Sequence, residues 1–436
     1  MRILWVCNFM LPAVAQSLGI EPVNKEGWIS GLFDSLRRDD ICNLQLAVCF
    51  PIPDSLKKIC ESDDAEGRQL LTGQIEGASY FGFLEDTVNL QFYDYKVQRQ
   101  LEKIIGQFRP DLVHIFGTEY PHALAAAKAW GRPDRTLVGL QGIVRSCVAA
   151  YDAELPDAVI NRVTFRDWLK KDSIVQQKEK FGLRAEHERQ LLELTLHVTG
   201  RTAFDREQAL AMHPGVHYHF MNETMRDCFY DGSKWSPQHC ERHSIFVSQG
   251  NYPLKGLHKV LEALPLVLEY YPDAKLYVAG DPITAYRTWK DKLKISSYGK
   301  YLLSLLKKLH LTGRVTFLGK LDAEQMKERF LRSHVFVSAS SMENSSNSVG
   351  EAMLLGVPVV ASRVGGLTSM LDDEKEGLFY DFSDVTALAK RILRIFEDDT
   401  LAAELSENAR KRAWITHDPK QNAERLLAVY QEVMEA

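Results

Sequence analysis

Short apolar, β-branched runs alternate with stretches of helical period along the first half of the chain. ILWVCN (3–8), LQLAVCF (44–50), DLVHIFG (111–117) and TLVGLQG (136–142) read as strands. Trp28 to Arg38, Val97 to Phe108 and His122 to Trp130 read as helices, the second stopped by Pro110. Strands spaced by helices predict a parallel, doubly wound sheet. A polar stretch with Gly and Pro, DGSKWSPQHCERH (231–243), marks a linker. A second alternating series follows it: HSIFVSQG (243–250), AKLYVAGD (274–281), RVTFLGK (314–320), HVFVSAS (334–340) and VPVVASR (357–363). Each of these strands ends in small or polar residues, where doubly wound folds place their ligands. From about Pro419 to Ala436 the pattern is that of an amphipathic helix.

The bulk numbers narrow the classes. A length of 436 residues suits two or three domains, and 45% hydrophobic with 25% charged residues is globular composition. A net charge of −5 gives no reason to expect a nucleic-acid partner. No run of about 18 apolar residues occurs, so no spanning helix is expected. MRILWVCNFM reads as a first strand and lacks the features of a signal peptide. Seven cysteines with no C-x-x-C pair fit reduced thiols and a cytoplasmic protein.

Residues 340–361, SSMENSSNSVGEAMLLGVPVVA, carry the chemistry. A strand leads in, a polar loop follows, and a short helix runs from about Ser348 to Leu355 with Gly356 at its end. Backbone N–H groups near Asn347, Ser348 and Val349 would sit at a positive helix end, which suits a diphosphate. Glu351 is placed to accept hydrogen bonds from a ribose, and Glu343 to face a transferred group. The same residues also admit a plainer reading, in which Ser348-x-x-Glu351 is a capping box that needs no ligand.

At full length, from Ser340 to Gly366, this segment resembles the C-terminal signature of family 4 glycosyltransferases. That signature has two glutamates separated by seven residues, then Ala, Met, an apolar pair and Gly-x-Pro-Val-Val-Ala, with Gly365-Gly366 beyond. The resemblance implies an α/β GT-B fold, with two Rossmann-like doubly wound domains facing across a cleft. Residues 1–230 would be the acceptor domain and 243–415 the nucleotide-sugar domain. The helix 416–436 would pack back on the first. It implies a retaining, metal-independent transferase with no cofactor, whose donor is a nucleotide sugar. The acceptor would be a glycan or a lipid-linked molecule. VTGRTAFD, NETMRDCFY and FVSQGNYPLKG resemble bacterial surface-polysaccharide transferases.

Site residues follow from the same resemblance. Lys255, in HSIFVSQGNYPLKGLHKVLEAL, stands where the family holds the donor diphosphate with a base. A fixed ammonium there stabilises the charge that grows on the leaving group. Asn251 stands where the family has an arginine, which leaves Asn251 itself or another cation, with Arg201 as one candidate, to meet the phosphate. Gly27 matches the glycine of the loop after the first strand, where a missing Cβ lets backbone approach a phosphate. In DLVHIFGTEYPHA, His114 fits the first family histidine, but Phe116 occupies the position of the usual active-site histidine. Glu119 and His122 are the substitutes nearest to it, and Gln141-Gly142 is a weaker candidate.

Two other signals are set aside. HPGVHYH (213–219) and HCERH (239–243) lack a standard zinc pattern. The basic, apolar-interleaved stretch 289–310 suits either a packed amphipathic helix or peripheral contact with the inner membrane face. Alternative readings are a nucleotide-sugar epimerase of the same fold and a non-catalytic sugar-binding subunit. A nicotinamide enzyme is disfavoured, because no G-x-G-x-x-G follows the first strand.

Overall fold

A computed structural model describes residues 1–20, 27–38, 44–53, 56, 70–284 and 288–436. The chain forms two compact units. Unit 1 comprises Met1–Arg145, Phe181–Thr224 and Pro419–Ala436, and unit 2 comprises Ser146–Lys180 and Met225–Asp418. The boundary falls between Thr224 and Met225, which puts the stretch 231–243 inside unit 2 and not between the units, and residues 146–180 join unit 2 as well. There His258 Nε2 lies 2.9 Å from the Ala153 carbonyl, Lys259 pairs with Glu154 at 2.6 Å, and Ser297 Oγ donates to the Val159 carbonyl at 2.9 Å. Local patterning marks a polar break in the chain. It does not say which core a helical segment joins, because these partners lie a hundred or so residues away.

Unit 1 is built on eight strands: β1 (Arg2–Val6), β2 (Gln45–Pro51), β3 (Leu71–Ile75), β4 (Ala78–Phe83), β5 (Leu112–Phe116), β6 (Thr136–Gly139), β7 (His197–Gly200) and β8 (His217–Phe220). Their order is β3-β4-β2-β1-β5-β6-β7-β8, and every pairing is parallel except β3 with β4. The β3–β4 hairpin escapes the sequence reading because its edge strand is half exposed and interrupted by Gly73. Alternation in β1 sends Ile3 and Trp5 to one face and Leu4 and Val6 to the other. On the first face Leu426, Val429, Tyr430 and Val433 of the Pro419–Glu435 helix pack with Trp5 and Phe33, and Trp5 Nε1 donates to Tyr430 Oη at 2.7 Å. On the second face the Tyr95–Phe108 helix buries Val97, Leu101, Ile104 and Phe108.

Unit 2 holds β9 (Glu241–Val247), β10 (Lys275–Ala279), β11 (Val315–Gly319), β12 (Ser333–Ser338), β13 (Val359–Ser362) and β14 (Leu378–Tyr380). The order β11-β10-β9-β12-β13-β14 is parallel throughout. The chain starts at the centre, runs outward, then returns to β12 beside β9. Such a reversal opens a crevice beyond the carboxyl ends of the two central strands. The loops after β9 and β12 carry Asn251, Lys255 and Glu343. In unit 1 the same reversal falls between β1 and β5, whose following loops carry Asn8 and Glu119.

The basic stretch at 289–310 is two helices, Trp289–Lys292 and Ser297–Lys308, and the second buries Tyr298, Leu302 and Leu305. Among the described residues no helix is long and apolar enough to cross a membrane.

Candidate functional site

In unit 2 the loop after β9 turns through Pro253–Lys255 and ends at Gly256, whose φ is +63°. A Cβ at Gly256 would lie 1.7 Å from the carbonyl oxygen of Ala339, at the end of β12. Only glycine lets the two loops approach this closely. Their approach delivers Lys255 to Glu343: the Lys255 ammonium donates to Glu343 Oε1, which also accepts from Ser340 Oγ at 2.7 Å. The Glu343 backbone is pinned from the other side. Its carbonyl accepts from Gly366 N–H at 3.0 Å, and a Cβ on Gly365 (φ +48°) would lie 2.0 Å from that oxygen. Burial pulls the Lys255 pKa down, but the Glu343 carboxylate and Tyr252 beside it more than reverse that, so the ammonium stays charged.

The helix beyond runs Asn347–Leu355, and Ser346 is its N-cap with no side-chain capping bond. The capping box read at Ser348 and Glu351 is therefore not formed, since the helix begins one residue before Ser348. Its open end keeps first-turn amides for an outside acceptor. Val349 is not one of them, because its N–H donates to the Ser346 carbonyl at 3.0 Å. Asn347 and Ser348 retain the role. Asn347 Oδ1 is buried with no hydrogen-bond partner among the described residues.

Glu351 is buried on the same helix and takes both Arg226 Nε at 2.8 Å and Arg226 Nη2 at 2.7 Å. Burial pushes its carboxyl up, and Arg226 draws it part of the way back. Arg226 was missed because nothing in NETMRDCFY points to a partner as distant as Glu351. The pairing spans 125 residues of sequence. Asn251 has a buried Oδ1 without a partner among the described residues and lines a cavity of about 480 Å³ with Arg166, Asp281, Lys294 and Tyr298. Arg166 is held by Asp167 at 3.0 Å and Asp172 at 2.9 Å.

Of the unit 1 candidates, Glu119 and His122 follow β5 at the reversal, whereas Arg201 follows β7. The Arg201 guanidinium lies 2.5 Å from buried Glu223 and its backbone N–H donates to Asp205, so the side-chain charge is paired within unit 1 by Glu223. His122 is buried inside the first turn of its helix. Its Nδ1 meets Glu85 at 2.9 Å and its Nε2 meets Asn8 at 3.1 Å. Glu119 Oε1 accepts from Gly142 N–H at 2.9 Å, while Oε2 is buried and unpartnered among the described residues. Phe116 is core, 4.8 Å from the Trp5 ring, and His114 is buried against Tyr430 Oη at 2.9 Å with its pKa lowered to about 3 by burial. Gly27 opens the Gly27–Arg38 helix, while Glu26 lies outside the described residues. The connection after the first strand contains a Pro12–Ser17 helix.

Glu188, not singled out from the sequence, is fully buried. It accepts from Thr118 Oγ1 at 2.6 Å and from Val144 and Arg145 N–H at 3.0 Å each. Burial, with Glu119 adding to it, pushes its carboxyl up to about 7. The folded chain thus keeps a proton that the unfolded chain gives up near pH 4.5. Between those values the folded state binds more protons, so its stability falls as pH rises across the window. In urea unfolding at pH 5 and pH 8, the wild type is expected to lose about 1–3 kcal/mol more than Glu188→Gln over that interval. Equal losses would assign the pH response to other groups.

Residues 233–412 match the family model described as Glycosyl transferases group 1. This segment is a group 1 glycosyltransferase domain. N-acetyl-alpha-D-glucosaminyl L-malate synthase of Bacillus anthracis is 28% identical to the chain over 195 residues, which is 44% of this chain and 47% of that protein. The chain spans about half the length of the curated relatives it matches. Sucrose-phosphate synthase from Thermosynechococcus elongatus superposes with a TM-score of 0.70 at 16% identity, covering 100% of this chain and 99% of that one. Anabaena HepE in complex with UDP-glucose gives 0.63 at 16% identity, covering 98% and 100%. These likenesses establish the fold, which is GT-B with two parallel-sheet α/β units. The group 1 domain falls within unit 2, and Asn251, Lys255, Glu343, Asn347 and Glu351 all lie in it.

Proposed function

We propose that the chain transfers a sugar from a nucleotide-sugar donor to a glycan or lipid-linked acceptor. In this reading it works on the cytoplasmic side, in the synthesis of a surface polysaccharide. The observation that carries the reading is the meeting of Lys255 with Glu343 beside the uncapped start of the Asn347–Leu355 helix. An ammonium has three donors, and with Glu343 and Tyr252 as its neighbours Lys255 keeps one for a diphosphate oxygen. With the helix amides of Asn347 and Ser348 it supplies positive charge where the leaving diphosphate develops negative charge, a task that needs no metal ion. Glu343 orients the sugar and steadies its oxocarbenium-like carbon. The acceptor then attacks from the leaving-group face and passes its proton to the departing phosphate, which retains the anomeric configuration. Glu351 receives the ribose hydroxyls and shares or yields its contact with Arg226. HepE, crystallised with UDP-glucose, supports a nucleotide sugar as the donor class.

Saturation-transfer NMR against UDP-, GDP- and ADP-sugars tests the donor site. One donor is expected to bind wild type and to be lost in Glu351→Ala. Binding that survives the substitution would remove Glu351 from the site. Isomerised donor without transfer would favour an epimerase.

A further inference from the structure

The Phe165–Lys170 helix, in the part of unit 2 contributed by the first half of the chain, turns its large apolar residues outward. Trp168 is 68% exposed, Leu169 65%, Val163 58% and Phe165 56%, and the Phe165 and Trp168 rings lie 6.0 Å apart. Single exposed apolar residues are ordinary, but four within seven positions form a patch. The patch is held rigidly. Thr164 caps the helix and donates its hydroxyl to the Ile295 carbonyl at 2.7 Å, and buried Asp167 accepts from Ser297 N–H at 2.8 Å. These bonds bring a second exposed segment alongside, with Leu293 flanked by Lys292 and Lys294.

The charge around the patch is predominantly positive. Lys170, Lys171, Lys292 and Lys294 are exposed, and Arg162 is half-buried. The nearby acids are mostly committed: Asp167 and Asp172 to Arg166, and Asp291 to Thr288. Asp157 is exposed. This surplus stands against a net charge of −5 for the whole chain.

From this arrangement we propose that residues 163–171 and 292–294 form a single docking surface for an anionic lipid bilayer. Trp168, Phe165 and Leu169 enter the interfacial layer, and the lysines meet the headgroups. Aromatic rings prefer that layer, and lysine stems lie along it with their charges in the headgroup region. A protein partner fits less well, because the centres of protein interfaces are depleted in lysine. The surface deepens the proposed function by stating how a lipid-linked acceptor would be reached. Its test needs no substrate, so it stands or falls separately from the transfer chemistry.

The full chain is floated with vesicles of phosphatidylcholine and phosphatidylglycerol in equal parts, and with phosphatidylcholine alone. Wild type is expected to bind the anionic vesicles at least about tenfold more tightly, and raised salt should weaken that binding. The combined variant Phe165→Ser, Trp168→Ser, Leu169→Ser is expected to lose about tenfold or more. Lys170→Glu with Lys171→Glu should lose the preference for anionic lipid. Brominated lipid should quench wild-type tryptophan fluorescence more than that of Trp168→Phe, a readout that survives if the triple variant fails to fold. Absence of wild-type binding, equal binding by a folded triple variant, or self-association that depends on these residues would each overturn the proposal.

Discussion

Lys255→Ala is expected to slow sugar transfer roughly 100- to 1000-fold, the usual loss when one preorganised charge stabiliser is removed. The effect should fall on kcat more than on KM, because charge on the diphosphate is greatest as the sugar leaves. The substitution also strands Glu343, which loses its cation while remaining largely buried. Part of the deficit would then come from a misplaced Glu343. The double variant Lys255→Ala, Glu343→Gln separates the two contributions. If the pair acts as a unit, it will be little worse than the single change; independent roles would multiply the losses. Steady-state kinetics with the donor found by NMR decides the matter, and an undiminished kcat in Lys255→Ala would remove the lysine from the mechanism.

Gly256→Ala is expected to cost about 2–4 kcal/mol of stability, from a left-handed backbone carrying a Cβ and from forced displacement of a packed neighbour. That neighbour is the Ala339 carbonyl oxygen, 1.7 Å from where the Cβ would fall. It belongs to the backbone that leads into the Glu343 loop, so no flexible side chain can move aside to absorb the clash. Whatever fold survives should therefore hold Lys255 and Glu343 farther apart, and transfer should fall along with the unfolding midpoint. Thermal unfolding monitored by circular dichroism, paired with a transfer assay well below the midpoint, reads both effects. A variant of wild-type stability and activity would show that the two loops are not locked at this glycine.

The unit 2 site was legible because its parts are close in sequence or tied to a local signal. Glu343, Asn347, Ser348 and Glu351 lie on one strand–loop–helix unit, and Lys255 opens the helix after β9. What escaped was contributed from afar. Arg226 reaches Glu351 across 125 residues, and nothing around it marks it as a partner. The capping box at Ser348 failed for a local reason: a start at Asn347 places Ser348 inside the helix. In unit 1 the burial of His122 was not legible, because its two partners, Glu85 and Asn8, come from loops after β4 and β1.

Alternation of apolar runs with helical periods determined two doubly wound sheets, since period and burial are local properties that a chain displays before it folds. The spacing of two glutamates around a glycine-ended helix determined the family segment in the same way. The destination of residues 146–180 was decided only by tertiary structure. So were the pairing of Arg226 with Glu351, the burial of His114 and Phe116, and the convergence of the exposed aromatic patch with Lys292 and Lys294. Each depends on contacts between residues far apart in the chain. Their strength comes from exclusion of water and from fixed geometry, neither of which exists until the core has formed.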